Sequence, residues 1–124
     1  MCPIETHDCQ TAVLRDYPFG AVGTVKSWQP LGGGDPGSLG AGVCEYCGVF
    51  DWDLHYDAVY YMISGSLTVI DGDGEHTVAA GQMMSIPKGS KGRYVSPAGC
   101  RLFWAIFPGN WEEISDFSIN GPAT

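Results

Sequence analysis

Residues 50–57 alternate without a break: Phe50, Trp52, Leu54 and Tyr56 fall on one parity, Asp51, Asp53, His55 and Asp57 on the other. A period of two puts each set on one face of a β-strand. The same short-period signal recurs along the chain. Gly23–Trp28 is rich in β-branched residues and predicts a strand, and Val43–Tyr56 reads mostly as strand. Val59–Ile63 and Ser66–Ile70 predict two strands that meet at Gly65. Asp71–Gly74 is the strongest turn signal in the chain, and Glu75–Ala79 returns from it as a strand. Gly81–Ile86 predicts a turn and a short strand stopped by Pro87, and Tyr94–Ser96 another strand. Cys100–Phe107 is the last long strand. It is almost continuously apolar, which predicts burial on both faces.

Between these strands lie glycine-rich turns, and the pattern predicts an all-β fold, a small antiparallel barrel with little helix. Residues 1–20 are polar and mixed, and predict an extended arm with one short strand near Thr11–Arg15. Residues 30–42 hold six glycines and predict a flexible loop that could cover a pocket. The expected organisation is an N-terminal arm at 1–22, a barrel at 23–112 and a C-terminal tail at 113–124.

The 124 residues suit one domain with one core. Charged residues make up only 16% of the chain, beside six Tyr and four Trp, so a second subunit is expected to cover part of the surface: a homodimer. A net charge of −8 argues against nucleic-acid and anionic-membrane partners and leaves a small molecule as the expected ligand. Lys88, Lys91, Arg93 and Arg101 stand within fourteen residues, either an anion site or a solvated turn. Neither a leader-like start nor an apolar run of membrane length is seen, so the expectation is cytoplasmic, with the five cysteines reduced. Cys44 and Cys47 form a CxxC with no second ligand pair and no following helix. They read as structural cysteines, with a redox or metal role as the alternative.

The spacing of Gly48, Gly65, Gly81, Pro87 and Gly89 over residues 43–107 resembles the two motifs of the cupin superfamily. The resemblance implies a double-stranded β-helix, or jelly-roll, barrel. It also implies ligand positions. With four residues between the second His and the Glu of the first motif, the two His positions fall on Asp51 and Asp53, the Glu on Ala58, and the second-motif His and Asn on Gly92 and Ser96. None is a usual ligand, so no transition-metal cofactor is expected. Within the superfamily, the stretch 52–57, the Ile86–Ser90 loop and the ending Phe107-Pro108-Gly109-Asn110-Trp111 resemble EutQ, the ethanolamine-utilisation cupin. That family lacks the metal-binding histidines and is linked to an acetate-kinase-like activity. This chain has Ala58 where EutQ-like sequences keep an acid, and it has no P-loop.

Two arrangements of residues 50–57 are open: aromatics in the core and acids in water, or acids lining the pocket with the aromatics turned to other structure. On the second, Asp51, Asp53 and His55 are neighbours about 7 Å apart along one strand face. A carboxylate beside an imidazole fixes its tautomer, and a tyrosine in the same cavity could donate a proton. The candidate catalytic set is therefore Asp53, His55 and Tyr60. Asp51, Tyr94 and Trp104 are the candidate substrate contacts, Trp104 chosen for its size. Tyr60 shares the parity of Ala58 and Tyr94 that of Gly92, the positions from which cupins point ligands inward. Such a set suits elimination, isomerisation or cyclisation of a small polar molecule, the work of a lyase or isomerase. Asp51, Asp53 and His55, with Glu45, could instead hold a hard divalent cation. The competing functions are a non-catalytic ligand-binding or scaffold cupin and an EutQ-like acetate kinase.

Overall fold

The β-branched and aromatic runs form eight strands in a computed structural model that describes residues 4–17, 23–32, 37–111 and 121–122. They are β1 (Arg15–Tyr17), β2 (Gly23–Leu31), β3 (Gly40–Asp53), β4 (Asp57–Asp71), β5 (Gly74–Ala79), β6 (Met83–Ile86), β7 (Lys91–Phe107) and β8 (Gly121–Pro122). Every pairing is antiparallel. The order is β1-β2-β3-β7-β4-β5, with β6 on β4 and β8 on β3. The fold is the expected all-β one. The start of the arm, part of the glycine-rich loop, Cys2 and most of the expected tail lie outside the described residues.

The strands expected on either side of Gly65 are one strand. β4 runs through, and its register against β7 shifts between Met62 and Ser64 and again between Gly65 and Thr68. Gly65 makes this bend, with φ of 76° and Gly99 O only 2.3 Å from where a Cβ would lie. A left-handed backbone and a close strand approach together exclude a side chain there. β7 likewise joins Tyr94–Ser96 and Cys100–Phe107 into one strand of 17 residues. Long bent strands serve both halves of a barrel, and β3, β4 and β7 do so here.

Met62, Leu67 and Leu102 are wholly buried at the centre of the core. β7 is not buried on both faces: Leu102, Trp104 and Ile106 point in, whereas Phe103 and Phe107 are 39% and 52% exposed. Phe103 pairs with Tyr61, and Tyr61 pairs with Met83 on its other side. With Val59 and Ile63, all exposed, they make an apolar patch across three strands. The arm has its short strand at Arg15–Tyr17, later than expected, where it registers with Val25–Ser27. Before that it crosses the outer face: Arg101 of β7 donates to Cys9 O at 2.8 Å, and the His7 ring stands 6.3 Å from Trp28 of β2.

Candidate functional site

The inward residues of β2, β3, β4 and β7, closed by Trp111, enclose a cavity of about 40 Å³. Three indoles face it, Trp52, Trp104 and Trp111, together with three phenols, Tyr46, Tyr56 and Tyr60. Phe50, Val25, Ile106 and Ser27 complete the wall. Trp52 and Trp111 lie 5.9 Å apart with their planes at 58°, so they form two walls of a corner rather than a stack. Trp104 can enter because Gly42 of β3 has no side chain: a Cβ there would sit 2.8 Å from the indole and 1.9 Å from Trp28 O.

Several polar atoms of this wall are paired inside the barrel. Trp52 Nε1 donates to Tyr56 Oη at 2.8 Å, Trp111 Nε1 to Gln29 Oε1 at 3.0 Å, and the hydroxyls of Tyr60 and Tyr94 share a bond of 3.1 Å. Burial strips water from these phenols and disfavours their ionised form, so Tyr56, Tyr60 and Tyr94 are all held well above the ordinary phenol range. Burial likewise pushes the Cys44 thiol up. Among the described residues no Asp, Glu, His, Lys or Arg lines the cavity.

The structure divides the sequence candidates. Tyr60 and Trp104 line the cavity, and Tyr94, buried just behind, reaches it through the hydroxyl pair with Tyr60. Asp51, Asp53 and His55 do not enter it. Their expected inward orientation is corrected by the burial pattern, in which Phe50, Trp52, Leu54 and Tyr56 are the buried set. The reason is the cost of the alternative: four large apolar side chains would be in water and three ionisable ones in the core. Asp51 accepts from Arg93 Nε at 2.8 Å on the outer surface, and His55 is exposed on the turn after β3. That turn is pinned from outside by Leu54 N to Ser90 O and Gly89 N to Leu54 O, both 2.9 Å. A three-residue spacing in the first motif fits this register where the four-residue one does not. It puts the two His positions on Trp52 and Leu54, both buried. Trp52 also stands opposite Gly92.

Sequence reasoning missed Tyr46, Phe50, Trp52, Tyr56 and Trp111 as cavity residues. The signal for four of them was the aromatic parity of 50–56 and its continuation to Tyr46. The hard-cation alternative loses its geometry, since among the described residues no three His, Cys, Asp or Glu side chains are grouped to hold a metal. The four basic residues do not converge either: Arg93 pairs with Asp51, and Arg101 faces Glu45 at 3.7 Å. Cys44 and Cys47 are free thiols, one buried and one exposed. His76 is bound to Asp71 at 3.0 Å beside the hairpin. A larger, open polar cleft lies at one barrel end, lined in part by Thr24, Lys26, Glu45, Ser64 and Arg101. No helix among the described residues is long and apolar enough to cross a membrane.

Comparison with known proteins gives three findings. Residues 23–113 match the family described as ethanolamine utilisation protein EutQ. The chain is 35% identical over 74 residues to acetate kinase EutQ of Clostridioides difficile (strain 630), covering 59% of this chain and 47% of the relative. Among solved structures it superposes on the Clostridium difficile EutQ protein with a TM-score of 0.66 at 30% identity, over 72% of this chain and 71% of that one. It also superposes on the Schizosaccharomyces pombe Cnp3 cupin domain with a TM-score of 0.66 over 91% of this chain and 83% of that one; at 14% identity this shows the cupin fold alone. The chain spans less than half the length of the curated relatives it matches.

Proposed function

The chain belongs to the EutQ family of ethanolamine utilisation proteins, and from that premise we propose that it is a cupin that binds a small molecule in its aromatic cavity. One observation carries this reading: the cavity wall, among the described residues, offers hydrogen-bonding groups but none that exchanges protons near neutral pH. A general acid or base works best with a pKa near the working pH. Elimination or isomerisation by Asp53 and His55 would need those groups at the ligand, and they stand on the outer surface. Tyr60 therefore orients a bound molecule rather than exchanging its protons.

The name of the Clostridioides difficile relative supports a second reading, acetate kinase activity. Phosphoryl transfer needs polar and cationic groups around the phosphates. The open cleft with Lys26 and Arg101 is the better match for that, the aromatic cavity the poorer. One experiment separates the readings. The purified chain is tested for small-molecule binding by calorimetry, and for acetyl phosphate formation from acetate and ATP with Mg²⁺. Narrowing the cavity with Ser27→Leu should abolish binding on the first reading. Acetyl phosphate formation that Ser27→Leu leaves intact, with no ligand found for the cavity, would replace the first reading by the second. His55→Ala should leave ligand affinity unchanged.

A further inference from the structure

We infer that the aromatic cavity is a cage for a small organic ammonium ion, about the size of ethylammonium. This rests on the small-molecule-binding reading above and adds the charge and size of the ligand. Three features of the cavity select the class.

The first is the wall itself. Six Trp and Tyr rings and Phe50 line one small space. Aromatic faces carry negative charge density from the ring quadrupole and attract a cation placed within about 6 Å of a ring centre. An anion meets the opposite field. Among the described residues no Lys, Arg or His lines the cavity to pair with an anion, whereas the ring faces offset part of the cost of burying a cation. The net charge of −8 adds a potential over the whole molecule that favours cations.

The second is the small set of oxygens. Tyr56 Oη accepts one bond, from Trp52 Nε1. A hydroxyl oxygen has two lone pairs, so it can also accept from an ammonium N–H. The Tyr60–Tyr94 hydroxyl pair and Ser27 supply further oxygens in or at the wall. These oxygens already have partners, and their remaining lone pairs, with the ring faces, can replace the water that an ammonium head loses. The third is size. A cavity of about 40 Å³ holds roughly three water-sized groups, which suits an ion of three or four heavy atoms and excludes a nucleotide.

The test uses the full chain and three probes of nearly equal size: ethylammonium chloride, ethanol and sodium acetate, titrated by calorimetry at matched ionic strength. Ethylammonium should bind at least about tenfold more tightly than ethanol, and acetate should not bind. Trp104→Phe keeps a ring and should retain most of the affinity. Trp104→Leu should weaken ethylammonium at least about tenfold and bring it to the level of ethanol; melting curves show whether the variant is folded. The wild-type probe series stands without either variant. Ethanol or acetate binding as tightly as ethylammonium would overturn the cation assignment and leave the small-molecule reading in place. Silence from all three also overturns it. If a wider screen of neutral fragments is silent too, the small-molecule reading falls with it.

Discussion

Single residues decide what the cavity can do. Tyr56, Tyr60 and Tyr94 are buried phenols kept neutral by the loss of water around them. Their folded pKa values lie above the ordinary 10.0, so the stability they contribute is fully present below pH 10. It is lost as the pH rises past that value, because the unfolded chain releases protons that the folded chain keeps. The melting temperature should therefore begin to fall near pH 9, where the buried Cys44 thiol starts to contribute, and fall more steeply above about pH 10. Replacing Tyr60 by Phe should reduce that fall, as read from melts across the series. Gly42 works by size: its missing side chain is the space into which Trp104 packs.

At the scale of the element, bends matter more than strand identity. β4 changes partner along its length, pairing with β6 at Ala58–Tyr61 and with β5 at Ser66–Asp71. The bend between those stretches sits at Gly65, against Gly99 O. Gly65→Ala would carry the cost of a left-handed non-glycine residue and force two strands apart. A loss of about 2–4 kcal/mol is expected by urea unfolding. A change under about 0.5 kcal/mol would mean that the bend tolerates a side chain. β3 shows the other lesson of this scale. A one-residue difference in motif spacing exchanges its two faces, because side chains alternate with a period of two. The four-residue spacing puts the motif's ligand positions on Asp51 and Asp53, and the burial of Trp52 and Leu54 moves them to the other face.

For the whole molecule, the outer patch of Val59, Tyr61, Ile63, Met83, Phe103 and Phe107 is the face that we propose a second copy covers. Few charges interrupt it, in a chain that is only 16% charged. Light scattering on the chain at tens of micromolar should give a dimer. Phe103→Lys, at a site already 39% exposed, should give a folded monomer. A wild-type chain that is monomeric under these conditions would leave the patch without this role.

The sequence by itself determined most of the strand segments, the turn at Asp71–Gly74, a special backbone position at Gly65 and the cupin framework. All of these rest on local signals: alternation, β-branched content, and glycines where the backbone needs positive φ. Inward parity for Tyr60 and Tyr94 could also be counted from the glycine and proline spacing, because both follow a nearby fixed point. Only the tertiary structure decided which face of β3 is inside. Alternation separates two faces without naming either, and the choice depends on what the whole barrel has to bury. It also decided that Cys100–Phe107 continues a bent strand with one open face. It brought Tyr46, Trp52, Tyr56 and Trp111 to a single cavity with Trp104. Those residues come from β3, the turn after it, β7 and the segment after β7, and no signal within one segment records that they meet.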